Sequence, residues 1–128
     1  MSDFNSTYNR VVWFDIPVAD LDRAAAFYGS VLAIRVEKTK FNDSSFCVLE
    51  HEEGNGGCLI LRPGYVASNG GILLYMNVNG RIREAVDRVT AMHGKILEAM
   101  HPIGPHGFRA VVLDSEGNRI ALHSTVDA

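Results

Sequence analysis

A strand–corner–helix unit near the start of the chain constrains the fold most, because the unit occurs twice. Residues 11–18 are rich in β-branched and aromatic side chains, which favour a half-buried strand. Pro17 cannot donate to a central ladder, so the chain should turn there. Asp20 is a suitable N-cap for the helix that follows. Apolar residues then recur at helical spacing, namely Leu21, Ala24, Ala25, Tyr28, Val31 and Leu32.

A weaker copy of this unit appears about sixty residues later in the sequence. It comprises a predicted strand at 72–78 and a predicted helix at 80–93, with Gly94 at the position of a left-handed C-terminal cap. The segment Glu53-Gly54-Asn55 likewise matches Glu116-Gly117-Asn118. The offset between matched residues drifts by single residues, as insertions in loops would produce. The repeat therefore predicts a duplicated βαβββ module, an α+β fold.

Extending the two copies along the chain gives the full set of predicted elements. The first module, residues 10–64, has a strand at 10–17, a helix at 20–32 and strands at 34–38, 45–50 and 57–61. The second module, residues 72–128, follows its strand and helix with strands at 95–99, 108–113 and 119–124. Residues 1–9 are expected to form a flexible N-terminal arm, and residues 65–71 a linker rich in Gly, Ser and Asn.

Composition and charge exclude several classes of function. The net charge of −3 argues against a sequence-independent nucleic-acid-binding protein, which needs a basic surface. The chain has no run of eighteen apolar residues, and residues 1–10 lack the apolar core of a signal peptide, so no membrane partner is expected. Cys47 and Cys58 form no CxxC motif. We expect a cytoplasmic protein with reduced thiols.

Two segments carry a resemblance to a known superfamily. Val18-Ala19-Asp20, followed by Ala25-Ala26-Phe27-Tyr28 and Val31-Leu32, resembles the opening of the vicinal oxygen chelate superfamily. That group includes glyoxalase I, bleomycin resistance proteins, extradiol dioxygenases and methylmalonyl-CoA epimerase. The segment 113–122 resembles the last hairpin of the same family. The resemblance spans about residues 10–125. It implies two tandem βαβββ modules whose curled mixed sheets form a cup, and a homodimeric assembly.

The resemblance also implies where a metal ion would be held. Metal-dependent relatives place His, Gln or Glu in the first and last strands of each module, and the corresponding positions here are Trp13, Leu73, Ala121 and a residue near Cys58. Trp, Leu and Ala cannot ligate a divalent ion. We therefore predict no cofactor and no metal-dependent glyoxalase I activity. A divalent metal held by shifted residues is the alternative.

An acid, a phenol and an imidazole lie two residues beyond three of these positions. They are Asp15, Tyr75 and His123. Because strand side chains alternate between the two faces, all three are expected on the cup-facing side at one level of the sheets. His123 would then be a catalytic acid or base, with Asp15 orienting it. Alternatively, both residues lie at strand ends and are satisfied by solvent.

Five further residues are candidates for ligand binding. Trp13 and Phe46 offer planar surfaces to an aromatic ligand, although Trp13 could equally fill the core. Arg109 would anchor a substrate carboxylate if its side chain faced the cup. His101 and His106 are expected on a loop rich in Gly and Pro, either as bare loop residues or as a lid over the pocket.

Three functions are consistent with these patterns. The first is a metal-free protein that binds a small aromatic or cationic ligand in the cup. The second is a glyoxalase-like lyase or isomerase that uses His123 with Asp15, or a non-standard metal site. The third is a non-catalytic interaction module, which would apply if the protein's own side chains filled the cup. Fold analogy alone does not decide between them.

Overall fold

The computed structural model describes residues 11–41, 43–65 and 72–128. The predicted N-terminal arm, residues 1–9, and all of the predicted linker except Tyr65 lie outside the described residues. The elements in chain order are β1 (Asp15–Val18), α1 (Leu21–Leu32), β2 (Val36–Phe41), β3 (Ser44–Leu49), β4 (Cys58–Leu61), β5 (Leu74–Asn77), α2 (Ile82–Ala91), β6 (Lys95–Pro102), β7 (Phe108–Leu113) and β8 (Arg119–Ser124). Short 3-10 turns occur at Pro63–Tyr65 and Gly104–His106.

The strands form two four-stranded sheets with the same order of strands. The first sheet runs β1-β4-β3-β2 and the second β5-β8-β7-β6. In each sheet the first pair is parallel and the other pairs are antiparallel. This repetition confirms the predicted α+β fold of two βαβββ modules.

Strand β1 differs from its predicted range because its ladder depends on its neighbour. The parallel pairing starts at Asp15 opposite Cys58, where β4 begins, so residues 11–14 lie outside the strand. Pro17 lies inside β1, opposite Ile60, and does not end it. The missing N–H of Pro17 is tolerated because β1 is the edge of its sheet.

Each sheet buries one face beneath the helices and leaves the other uncovered by them. Ile16 and Val18 of β1 are buried in the core with Leu59, whereas Asp15 and Pro17 alternate with them and point the other way. We call the faces that point away from the helices the open faces of the two sheets. No helix among residues 11–41, 43–65 and 72–128 has the length and apolar character of a membrane span.

The ends of the two helices show one confirmed prediction and one error. The Asp20 side chain accepts a hydrogen bond from the backbone N–H of Arg23 at 3.0 Å, as expected of an N-cap. Gly94 is not the left-handed residue after α2, because that conformation falls on His93, with φ 71°. Gly94 is instead a point of close packing, since a Cβ there would lie 2.6 Å from the Leu113 carbonyl oxygen.

The last hairpin of the second module is bonded to the start of the first. In the turn 114–118, the Asp114 carboxylate accepts a 2.6 Å hydrogen bond from the buried Tyr28 hydroxyl of α1. The Asn118 side chain donates to the Pro17 carbonyl at 3.0 Å. Burial, followed by the charge of Asp114, raises the pKa of Tyr28 well above its usual range. Tyr28 therefore stays protonated and donates to Asp114.

Glu116, in the same turn, completes the N-terminus of α1. One of its oxygens accepts hydrogen bonds from the backbone N–H groups of Ala19 and Asp20, at 3.0 and 3.1 Å. Its carboxylate also pairs with Arg23, whose Nε lies 2.7 Å from Oε2. A residue of the second module thus satisfies backbone donors at the corner that precedes the first helix. The two modules are joined by this network as well as by the packing of α1 against α2.

Candidate functional site

The open face of the second sheet brings four of the predicted ligand-binding residues together, one from each strand. Tyr75 lies on β5, His101 on β6, Arg109 on β7 and His123 on β8. The antiparallel registers place Arg109 directly opposite both His101 and His123. Residues directly opposite one another on neighbouring strands are close enough for their side chains to interact. The strand pairing itself therefore assembles this group.

Hydrogen bonds hold the group in one arrangement. Arg109 donates from Nη1 to the Tyr75 hydroxyl at 2.6 Å and from Nε to Nε2 of His101 at 3.2 Å. Nε2 of His123 lies 2.7 Å from the carbonyl oxygen of His106. The rings of Tyr75 and His123 meet edge to face, with their centroids 6.2 Å apart. The guanidinium of Arg109 is thus fixed on two sides by neighbouring side chains.

These side chains surround an open hollow of about 600 Å³, which is lined by Tyr75, Ile103, His106, Arg109 and His123. Four of these five residues were predicted from the sequence. Ile103 was missed because nothing in the pattern of the Gly- and Pro-rich segment indicates which side chains turn inward. Glu98 was also missed, and its carboxylate lies 3.8 Å from Nη2 of Arg109. A polar rim and an apolar wall in one hollow are typical of small-molecule sites.

The position of His101 corrects the sequence analysis. His101 was expected on a loop, but β6 continues to Pro102 and places His101 in the ladder opposite Arg109. Two register shifts within β6 allow this extension, and β6 is an edge strand that tolerates a proline at its end. His106 does lie outside the strands, in the 3-10 turn Gly104–His106. Its carbonyl, rather than its ring, makes the contact that fixes His123.

Asp15 does not orient His123 within this chain. Asp15 lies on the open face of the first sheet, where it accepts a hydrogen bond from the Cys58 thiol at 3.1 Å. The expectation of one common level was also wrong for His123. Tyr75 and Asp15 lie at equivalent levels, because they pair with the equivalent residues Ala121 and Cys58. His123 pairs with Asn77 and so lies two residues further along the second sheet than Tyr75 does. The two candidate catalytic residues are therefore separate groups with different partners.

Trp13 and Phe46 lie at the first sheet, as Asp15 does, with Trp13 just before β1 and Phe46 on β3. Both side chains are half-buried and lie outside the apolar core. Trp13 hydrogen-bonds the Cys58 thiol and meets the ring of His51 edge to face, with centroids 6.0 Å apart. Phe46 lies opposite Ile60 of β4. The structure thus divides the predicted residues between the two modules.

The side chains at the positions that the resemblance maps to metal ligands do not fit a divalent ion. The mapped positions, which are Trp13, Leu73, Ala121 and a residue within two of Cys58, supply no carboxylate and no imidazole. Asp15 and Tyr75, two residues beyond Trp13 and Leu73, do not supply the missing metal ligands. The Tyr75 oxygen already accepts a hydrogen bond from Arg109, and Asp15 already accepts one from the Cys58 thiol. Within the described residues, no three His, Cys, Asp or Glu side chains converge as a metal site would require.

We expect Cys58 to resist thiol reagents in the folded protein. Burial, together with the hydrogen bond to Asp15, raises the pKa of Cys58 to about 12, so almost no thiolate forms near neutral pH. Iodoacetamide at pH 7.5 should modify Cys58 far more slowly in native protein than in urea-unfolded protein, as measured by peptide mass spectrometry. Rapid native labelling at Cys58 would contradict this.

The comparisons with known proteins agree with this fold. A family model described as bleomycin resistance protein-like N-terminal matches residues 10–46. A glyoxalase/bleomycin resistance protein/dioxygenase family enzyme from Burkholderia phytofirmans is 18% identical, with a TM-score of 0.70 over 89% of this chain and 97% of that chain. A glyoxalase-related enzyme from Fulvimarina pelagi is 19% identical, with a TM-score of 0.66 over 90% of this chain and 87% of that chain.

A third similar structure is the genomically encoded fosfomycin resistance protein FosX from Listeria monocytogenes. It is 14% identical, with a TM-score of 0.67 over 92% of this chain and 94% of that chain. No curated protein matches the sequence. The family model agrees with the resemblance to the vicinal oxygen chelate superfamily at the start of the chain, and the three solved structures share the fold of this chain over about nine tenths of its length.

Proposed function

We propose that this protein binds a small aromatic ligand in the hollow of the second sheet, without the metal ion usual in the family. The observation that carries the proposal is the convergence of Tyr75, Arg109 and His123 on one open hollow. These side chains are held by hydrogen bonds before any ligand arrives, which lowers the entropic cost of binding. The half-exposed Tyr75 ring and the neighbouring Ile103 offer apolar surface to a planar molecule.

A cationic ligand, which the sequence analysis also considered, would suit the first sheet better than the hollow of the second. A cation would be repelled by the Arg109 guanidinium in the hollow, whereas Asp15 and Trp13 on the first sheet could attract one. The two groups therefore favour ligands of different charge. An aromatic ring suits either group, and the hollow of the second sheet has the greater number of fixed polar contacts.

A binding experiment with paired variants tests the proposal. Small aromatic compounds should shift the amide resonances of residues around the hollow in wild-type protein, as recorded by two-dimensional NMR. Tyr75→Ala should weaken that binding about tenfold, because an aromatic contact and its buried area are lost. Phe46→Ala removes an aromatic residue from the open face of the first sheet and is the matched control. Binding that is lost in Phe46→Ala and kept in Tyr75→Ala would place the ligand on the other sheet and refute the proposal.

A glyoxalase-like lyase or isomerase is the second candidate function, and the tautomer of His123 favours it. A carbonyl oxygen can only accept, so Nε2 of His123 must donate to the His106 carbonyl. In neutral His123 the lone pair is then on Nδ1, where it could take a proton from a bound substrate. In this case His123→Ala would abolish turnover while substrate binding persisted. Loss of binding and turnover together would favour a purely structural role.

We also propose that the protein is a cytoplasmic homodimer. Each sheet has two edge strands, β1 and β2 in the first and β5 and β6 in the second. Exposed apolar side chains lie near them, including Leu61 at the end of β4 and Ile72, which is 86% exposed. Such groups are commonly covered by a second copy of a chain. Sedimentation equilibrium at micromolar concentration should give twice the chain mass, and a monomer would refute the proposal.

A further inference from the structure

We infer that the ligand of the second-sheet hollow carries a carboxylate, which Arg109 binds with the help of Tyr75. This inference rests on the proposed function and names the chemistry that the hollow recognises. Its starting point is that Arg109 and Tyr75, which line the hollow side by side, both have hydrogen-bond donors. The charged and titratable groups on this part of the open face are Arg109, His101, His106, His123, Tyr75 and Glu98.

The hydrogen bonds of His101 hold Arg109 in position. Nδ1 of His101 lies 2.8 Å from the Ala99 carbonyl, to which it can only donate. Nε2 of the neutral ring therefore has the lone pair and accepts from Nε of Arg109. A protonated His101 would place a hydrogen between the two groups and break this bond. The contact holds the guanidinium plane in place without neutralising its charge.

Arg109 and Tyr75 both retain donors for a ligand. The Tyr75 oxygen accepts from Nη1 of Arg109, so its own O–H hydrogen is free to point elsewhere. Nε and one N–H of Nη1 are the donors of Arg109 that these two bonds use. Glu98 is 3.8 Å from Nη2, beyond hydrogen-bonding distance, so within residues 11–41, 43–65 and 72–128 the remaining donors on the two terminal nitrogens have no hydrogen-bond acceptor.

A planar fork of N–H donors beside a hydroxyl donor matches the two oxygens of a carboxylate. Arginine binds carboxylates through two parallel hydrogen bonds, which are stronger than bonds between neutral groups. The Arg109 side chain is 28% exposed, so a ligand can reach it although much of its surface is already covered by protein. Glu98 is the one carboxylate near Arg109 in the described chain. Because it makes no hydrogen bond to Arg109, an incoming anion could bind the guanidinium without first breaking a hydrogen bond to Glu98.

The test compares three probes of nearly the same shape and different charge. Benzoate is an anion, benzamide is its neutral isostere, and benzylamine is a cation at neutral pH. In wild-type protein we expect benzoate to bind at the hollow about tenfold or more tightly than benzamide, since a charged acceptor strengthens each hydrogen bond. Benzylamine should bind more weakly than either. Titrations followed by the amide resonances of residues 101–109 and 123 give both the affinity and the place of binding.

Variants then assign the preference to one side chain. Arg109→Gln should remove the difference between benzoate and benzamide. Arg83→Gln is the matched control, because Arg83 lies on α2, where it pairs with Asp127 away from the hollow. It changes the net charge equally and should leave the preference intact. Equal loss in both variants would mean that net charge alone draws the anion, and would overturn the inference.

The outcomes separate this inference from the proposed function. If benzamide or benzylamine binds the hollow as tightly as benzoate, aromatic binding stands and the carboxylate is refuted. If none of the three probes perturbs the hollow, the inference is refuted as well. The proposed function then falls only if the wider set of aromatic compounds also fails to shift these resonances. Since the comparison of probes uses wild-type protein, a folding defect in Arg109→Gln would not remove the test.

Discussion

Replacing Asp114 with alanine should lower the free energy of unfolding by about 4 kcal/mol, because four buried hydrogen bonds lose their acceptor together. Asp114 is 2% exposed. Its oxygens accept from the Tyr28 hydroxyl at 2.6 Å, from the backbone N–H groups of Glu116 and Asn118 at 2.8 Å each, and from the Asn118 side chain at 3.1 Å. Alanine offers none of these donors a partner, and the site is closed to water.

Urea unfolding followed by circular dichroism measures this loss. Asp87→Ala is the matched control, since Asp87 is an exposed carboxylate on α2 and its removal should change stability by no more than about 0.5 kcal/mol. Tyr28→Phe should give an intermediate loss of about 2 kcal/mol, because only one donor to the carboxylate is removed. A loss below about 1 kcal/mol in Asp114→Ala would show that the turn rearranges or admits water.

Glu116 should make the protein lose about 2 to 3 kcal/mol of stability as the pH falls from about 5 to 2. Burial alone would raise the pKa of Glu116, but hydrogen bonds from Arg23, Ser115 and the backbone N–H groups of Ala19 and Asp20 outweigh it and lower the pKa to about 2, from an ordinary 4.5. The unfolded chain then takes up the proton first. The stabilisation is complete above pH 4.5 and is lost as the pH falls towards 2.

The internal repeat supplies the control for this experiment. Glu53 occupies the equivalent position in the first module and is exposed. Glu53→Gln should leave the acid limb of the stability curve unchanged, whereas Glu116→Gln should flatten it and lower stability at pH 7. The Glu116 side chain is 0% exposed, but the Arg23 side chain is 43% exposed, so solvent screens part of the attraction between them. At high salt we therefore expect the acid-induced loss of stability to lie near about 2 kcal/mol. An unchanged acid limb in Glu116→Gln would refute the assignment.

The fold could be predicted from the sequence because its two copies constrain one another. A helical face after a corner and a turn before a final strand recur in the same order, so one uncertain element is supported by its counterpart. The boundaries that were wrong depend on partners distant in sequence. β1 begins only where β4 can pair with it, and β6 extends past its expected end because β7 continues opposite it. Local propensity does not contain that information.

The site could be predicted only in part, for a similar reason. Alternation predicted that Tyr75 points away from the helices, and the structure has it on the open face of the second sheet, but alternation left open which face Arg109 occupies. It could not show that Arg109 pairs with both His101 and His123, because this depends on the register of three strands and on two register shifts in β6. The prediction that Asp15 orients His123 was wrong because the two residues lie on different sheets. Asp15 is at the first pair of its parallel ladder, whereas His123 is at the last pair of the other one.

The network between modules left no signal in the sequence patterns. Tyr28 fits the apolar face of a helix, and the segment 114–118 fits an ordinary turn, so neither pattern indicates that the two are hydrogen-bonded. Glu116 is more informative in retrospect, since a carboxylate in a turn rarely becomes fully buried without a charged partner. That partner, Arg23, lies 93 residues away in sequence and would not be found by any local rule.

The contact of the last turn with the first helix also orders events in time while the chain is being made. The acceptor for Tyr28 is encoded 86 residues downstream, so α1 leaves the ribosome without it. At about 5 to 20 residues per second, synthesis of the missing part takes about 4 to 20 s. During this interval the apolar face of α1 has only its own module to cover it, and the backbone donors at its corner are bound by water. A nascent chain of this protein thus contains the whole first module several seconds before the hydrogen bonds between α1 and the last hairpin can form.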